Sequence, residues 1–210
     1  MGTISSVTKF SKRTSKGIII IMQEIFENIA ANIHTNSQMI PFIEYCRRVK
    51  TITIVGFGDG LSTLCALAAK PDRITVYDHA QVDISDYQDL ANEYGIQFVF
   101  INQQILDVET IQETDMLFID SFQEGNYVFT VCTRFAQFVN RYICANNSYN
   151  FAHMPNPQVQ LGQGAQAIGI VFGLNSFLQN SDPWHIAENM YWAPGLTILY
   201  RKKDLLDAGH

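Results

Sequence analysis

The stretch Thr51-Ile52-Thr53-Ile54-Val55-Gly56-Phe57-Gly58-Asp59-Gly60-Leu61-Ser62-Thr63 runs a β-branched segment into three alternating glycines, and then into a helical apolar spacing that continues to Ala69. It reads as strand, tight turn and helix. Glycines there let the backbone bend sharply and approach a ligand, while the free amides of the helix start favour acceptor or anionic groups. The helix stops at Lys70-Pro71-Asp72, and a second β-type run over 73–77 ends at Asp78. The unit is therefore βαβ. Asp78 lies 22 residues beyond Gly56, where a carboxylate can accept hydrogen bonds from ribose hydroxyls.

Outward from this unit the alternation continues. Upstream, Ile25, Phe26, Ile29, Ala30 and Ile33 recur at helical spacing from Met22, and a second helix is expected from Ser37 or Gln38 to Arg48. Downstream, the pattern predicts a helix over 84–94, a strand over 97–101, a short helix near 108–112 and a strand over 116–119 ending at Asp120. A helix over 127–140 and a strand over 141–145 follow. Residues 146–164 are polar and rich in Asn, Gln, Pro and Gly, a loop length typical of lids or disordered segments. Beyond it come a helix near 165–179, weakened by Gly169 and Gly173, and strands over 184–191 and 196–201 joined by Trp192-Ala193-Pro194-Gly195. The fold class is α/β: a Rossmann-like, doubly wound, mostly parallel sheet with an antiparallel C-terminal edge.

Composition bounds the rest. A chain of 210 residues, 47% hydrophobic and 16% charged, can bury one sizeable core. We expect a flexible basic extension over 1–21, a single domain over 22–203 and a short tail over 204–210. No apolar run approaches the ~20 residues of a membrane span, so no membrane partner is expected. The net charge is −6, and four bases (Lys9, Lys12, Arg13, Lys16) lie before any acid, leaving the remainder at −10. Such a globule is poorly suited to neutralising phosphates, which argues against a nucleic-acid partner. Cys46, Cys65, Cys132 and Cys144 stand singly without C-x-x-C spacing, as core thiols in a reducing compartment would. Residues 18–22 are too short for a secretory apolar region, and the expectation is a cytoplasmic protein.

The glycine spacing bears on the cofactor. Dinucleotide sites use G-x-G-x-x-G, whereas this chain has G-x-G-x-G followed by Ser62 and Thr63. That pattern favours S-adenosylmethionine, which has no pyrophosphate to seat, over a nicotinamide cofactor. The turn from Gly56 through Phe57, Gly58 and Gly60 to Ser62, together with Asp78 and the adjoining His79, is the expected cofactor-binding set.

With these residues in place the chain resembles the class I S-adenosylmethionine-dependent methyltransferases, and within them the branch called methyltransferase-24 or cephalosporin-hydroxylase-like, whose members sit among glycan-modification or antibiotic-tailoring genes. The resemblance is carried by Met39-Ile40-Pro41-Phe42-Ile43-Glu44-Tyr45-Cys46, by the turn from Gly56 to Thr63, by Glu113-Thr114-Asp115-Met116-Leu117-Phe118-Ile119-Asp120, and by Gly195-Leu196-Thr197-Ile198-Leu199-Tyr200-Arg201. It implies that Asn102 and Gln103 lie near the adenine and that Asp120 faces the methyl group and the substrate. S-adenosylhomocysteine would be the product.

Two departures bear on mechanism. Relatives follow the fourth strand with an Asp, two residues and a His, and end the fifth in His-Asp-Thr; here these are Asp120-Ser121-Phe122-Gln123 and Asn146-Asn147-Ser148. A divalent cation prefers charged oxygen ligands, so no essential metal is expected. Methyl transfer to a hydroxyl then needs a general base, for which Asp120 is the first candidate and His153 the second. Gln123, Asn147, Tyr149 and Phe151 are the expected substrate contacts. The function implied is O-methylation of a small-molecule hydroxyl, with a sugar or glycan the leading acceptor; a catalytically silent cofactor-binding protein is the alternative, and a homo-oligomer is compatible with either.

Overall fold

Strands form where β-branched and aromatic residues cluster, and the two most central are buried along nearly their whole length. The computed structural model describes residues 23, 25, 27, 29, 31–32, 36–155, 168–192 and 194–202. After helix α1 (Met39–Cys46) come β1 (Thr51–Val55), α2 (Leu61–Ala69), β2 (Arg73–Asp78), α3 (Ser85–Tyr94), β3 (Gln97–Asn102) and β4 (Thr114–Ile119). Then follow α4 (Gly125–Phe135), β5 (Val139–Asn146), α5 (Ile170–Gln179), β6 (Trp184–Asn189) and β7 (Leu196–Arg201). The sheet order is β3-β2-β1-β4-β5-β7-β6, with β7 antiparallel to both its neighbours and every other pairing parallel. The α/β class and the antiparallel C-terminal edge are as expected.

Alternation along the central strands divides the core into two layers. Ile52, Ile54, Met116 and Phe118 face α1 to α3, where Phe42 stacks on Phe118 with ring centroids 4.0 Å apart. Val55, Leu117, Ile119, Ile143 and Ala145 face α4 and α5. Chain order reverses between β1 and β4, and the crevice beyond their carboxyl ends is where such sheets bind ligands. All four cysteines are free and buried. Among the described residues no helix is long and apolar enough to cross a membrane.

The structure corrects several element boundaries. The short helix expected at 108–112 is instead one 3₁₀ turn, Ile105–Asp107, after which Val108 is extended. Arg134 of α4 donates to the carbonyls of Leu106 and Val108, and Ile111 is buried, so the segment's polar and apolar needs are met without a helix. Helix α4 ends at Phe135 rather than 140, and β5 begins at Val139 because that residue is fully buried opposite Thr114. β6 stops at Asn189, short of 191. Upstream, Ile25 and Ile29 are buried as their spacing requires. Phe26, Ala30 and Ile33 lie outside the described residues, as do the extension over 1–21, the tail over 204–210, residues 156–164 of the long loop and the expected helix start at 165–167.

Candidate active site

The glycine turn is built by close approach. Gly56, Gly58 and Gly60 take φ of +96°, +57° and +84°, a region that favours glycine. A Cβ on Gly56 would lie 2.7 Å from the Asp120 carbonyl oxygen, and one on Gly60 would clash with the Tyr87 hydroxyl. At Gly58 nothing lies within 4 Å of that position, so the middle of the turn is open. The Phe57 ring packs edge-on against Tyr87 and Phe100, which turns its backbone toward the end of β2.

There the Phe57 N–H donates to Asp78 Oδ2 at 2.6 Å, and the Ala80 N–H donates to Oδ1 at 2.8 Å. Asn102 Nδ2 donates to the carbonyls of both Asp78 and Ala80, clamping the segment after β2. Gln103 Nε2 donates instead to the Asp107 carbonyl. A carboxylate offers about four acceptor positions, so Asp78 keeps roughly half its capacity, on a side chain that is still 12% exposed. A vicinal diol fits that remainder. His79, mostly exposed, places Nδ1 3.5 Å from Asp78 Oδ1 and stacks on Phe122, which in turn touches Tyr127. Burial pushes the Tyr127 phenol up to about 12, with the Asp78 charge adding and a Ser121 hydrogen bond opposing.

Asp120 follows β4, its own N–H bonded to the Val55 carbonyl, so β1 and β4 fix it on opposite sides of the reversal point. Asn146 Nδ2 donates to Asp120 Oδ1 at 2.5 Å, and the Asn147 N–H holds the other end of that amide at 2.9 Å. Asn147 sits at φ +56°, which turns its N–H back onto Asn146. Loss of water around the Asp120 carboxyl raises its pKa to about 7; the Asn146 bond and the Ser62 hydroxyl oppose this, and the Asp59 charge adds to it. The Ser62 and Thr63 hydroxyls are buried in the first turn of α2 without a hydrogen bond of good geometry. A weakly acidic carboxyl, held by an oriented amide, is suited to exchanging a proton near neutral pH.

The remaining residues expected at the site are spread around it. Gln123 is half-buried just before Glu124, whose carboxylate caps α4 through the N–H groups of Asn126 and Tyr127. Tyr149 is 50% exposed, and Phe151 is half-buried against the α4–α5 core. His153 is exposed with its ring against Phe172, and no hydrogen bond or ring contact joins it to Asp120. Residues 147–151 form successive turns and 152–154 bends. The Pro194 carbonyl accepts from Tyr149 and Asn150, while the carbonyls of Phe151 and Ala152 take the first amides of α5. In the sequence Asn146 stands out only as a missing metal ligand and Tyr127 only as one of several aromatic residues near the expected mouth, while Phe122 and Tyr87 carry no site expectation. Only their aromatic character in a loop or a first helical turn could have flagged them. Among the described residues no group of three or more His, Cys, Asp or Glu side chains is placed to hold a metal.

No family model and no curated protein matches the chain. Solved structures do. An O-methyltransferase from Bacillus cereus in complex with S-adenosylhomocysteine superposes with a TM-score of 0.60 at 12% identity, covering 90% of this chain and 92% of the other. A caffeoyl-CoA O-methyltransferase assigned in Staphylococcus aureus gives 0.56 at 16% identity, over 90% and 93%. The S-adenosylhomocysteine-bound Podospora anserina methyltransferase PaMTH1 gives 0.55 at 15% identity, over 96% and 100%. At such identities the likeness is one of fold, and the fold is that of the class I methyltransferases.

Proposed function

We propose that the chain is an S-adenosylmethionine-dependent O-methyltransferase acting on a hydroxyl of a small molecule, with a sugar or glycan as the leading acceptor. The observation that carries this reading is the pair of acids at the switch point: Asp78, anchored by backbone amides with acceptor capacity to spare, and Asp120, desolvated and bonded to Asn146. The fold neighbours support it, since two of those described above were crystallised with S-adenosylhomocysteine. The glycan preference rests on the sequence resemblance to the methyltransferase-24 branch.

S-adenosylmethionine, when bound, supplies a methyl group on a sulfonium centre. Gly56, Phe57, Gly58, Gly60, Ser62, Asp78, His79, Asn102, Gln103 and Asp120 form the proposed cofactor set, with the backbone of the turn and the Asp78 carboxylate giving the contacts. Asp120 accepts the hydroxyl proton of the acceptor, and Asn146 orients its carboxylate. His153 is the alternative base, reached only if an acceptor extends toward Phe172. Gln123, Asn147, Tyr149 and Phe151 are the proposed acceptor contacts. Donor and acceptor held in line need positioning more than covalent help.

Calorimetric titration with S-adenosylhomocysteine, with NADH for comparison, tests this reading. Micromolar binding of the former alone is expected. Binding of NADH instead would move the chain to the oxidoreductases, and binding without turnover of any hydroxyl acceptor would favour a catalytically silent protein.

A further inference from the structure

Resting on that reading, we propose that Tyr191 and Trp192 of the β6–β7 turn form with Tyr149 an aromatic platform at the mouth of the site, built to receive an uncharged sugar ring and to refuse anionic acceptors. Tyr191, Trp192 and Tyr149 are 75%, 57% and 50% exposed, so their aromatic area contributes little to the core. They lie on two segments far apart in sequence, yet the segments are fastened together. Pro194 accepts hydrogen bonds from the Tyr149 and Asn150 amides at 3.2 and 3.1 Å. Gly195, at φ +85°, lies so close to the Tyr149 backbone that any side chain there would clash with it. The β6–β7 turn and the loop after β5 are thereby held as one surface.

That surface is continuous with the candidate site. Leu196, the first residue after the turn, pairs with Asn146, whose amide holds the Asp120 carboxylate. Tyr149 follows Asn146 by three residues. An acceptor lying on the platform is thus directed toward Asp120.

Charge decides the class of acceptor. The described residues that link the elements at the carboxyl ends of the strands, 56–63, 78–84, 102–104, 120–124, 146–155, 168–169, 189–192 and 194–195, contain no Lys or Arg and five acids: Asp59, Asp78, Asp83, Asp120 and Glu124. A phosphate, a carboxylate or a coenzyme A thioester would find no Lys or Arg among these residues, only the imidazoles of His79 and His153, and several like charges. Residues 146–155 and 189–195 hold no Asp or Glu either, so the platform offers an ammonium no carboxylate, only the aromatic faces themselves. What it does offer are aromatic faces and the amides of Asn147 and Asn150. Such a surface suits the C–H faces and hydroxyls of a neutral pyranose.

The test uses the full chain, titrated first with S-adenosylhomocysteine and then, saturated, with neutral methyl glycosides in the gluco, galacto and rhamno series; glucose 6-phosphate and coenzyme A are the anionic comparisons. Of the two tryptophans Trp184 is buried, so Trp192 dominates any emission change on glycoside binding. At least one neutral glycoside is expected to bind and to perturb that emission, with none of the charged probes competing. Trp192→Ala and Tyr191→Ala, both at exposed positions, are each expected to weaken that glycoside at least tenfold while changing S-adenosylhomocysteine affinity less than twofold. Binding of a charged probe in place of every glycoside, no glycoside binding at all, or unaltered glycoside affinity in both variants would overturn the platform and leave the cofactor reading standing. Failure of the unaltered chain to bind S-adenosylhomocysteine would overturn the reading beneath it instead.

Discussion

Replacing Asp120 with Asn should make this protein more stable at alkaline pH. An unfolded chain exposes an aspartate of pKa 3.8, whereas the folded chain holds Asp120 at about 7, chiefly through loss of water around its carboxyl. Between those values the unfolded state has released the proton that the folded state retains, so stability falls as pH rises. The gap of about three units corresponds to about 4 kcal/mol at ~1.4 kcal/mol per unit, lost progressively from about pH 4 and complete above pH 7. Asn is close in shape to the protonated acid and does not ionise. Asp120→Asn should therefore match the parent near pH 4 and exceed it by up to about 4 kcal/mol at pH 8, a rise in melting temperature of roughly 8–16 °C for a domain of this size. Circular dichroism melts and urea denaturation of both proteins from pH 4 to 8.5 measure the difference, in which titrating groups not coupled to Asp120 cancel. A difference independent of pH, or a variant less stable at pH 8, would refute the placement of a desolvated carboxyl at the end of β4.

Three further outcomes are expected. Asp78→Ala should weaken S-adenosylhomocysteine roughly 10- to 100-fold, the worth of charge-assisted hydrogen bonds to a ribose, with the fold retained; unchanged affinity by calorimetry would remove Asp78 from the site. EDTA should leave methyl transfer intact, and loss of activity restored by Mg²⁺ would show that Asp120 and its neighbours hold a metal after all. Gly173→Ala should destabilise by about 1–3 kcal/mol, because a side chain there would clash with the Gly125 carbonyl where α5 crosses α4; an unchanged melting temperature would contradict that close packing.

What was legible in the sequence was what local chemistry dictates. The β-branched run before Gly56, the acid ending β2 and the two C-terminal strands around Pro194-Gly195 all carry their signal within a few residues. The 105–112 segment does not, because the group that satisfies its carbonyls, Arg134, lies 28 residues from Leu106. The start of β5 was misplaced for a similar reason: Val139 continues the apolar spacing of α4, and only its pairing with Thr114 makes it a strand residue. Asn146 is the instructive case at the site. Read as a residue type it is a poor metal ligand, yet its position opposite Asp120 and the orienting Asn147 amide give it a use that only the sheet's geometry reveals.

The surroundings of Asp120 explain how an unfavourable group is kept in place. A desolvated carboxyl would normally escape by turning toward water, but its backbone is pinned to Val55 and covered by Gly56, where no Cβ would fit against the Asp120 carbonyl. On the other side Asn146 is itself held by the amide of Asn147, so it cannot swing away without breaking two hydrogen bonds. The glycine at the end of β1 therefore does more than permit a turn. It lets the loops after β1 and β4 pack so closely that the acid has little room to relax, and cost of this kind persists only where the neighbouring structure over-determines it. Substituting a neutral residue would relieve that cost and remove the proposed proton acceptor, the opposition between stability and activity expected if Asp120 serves the reaction.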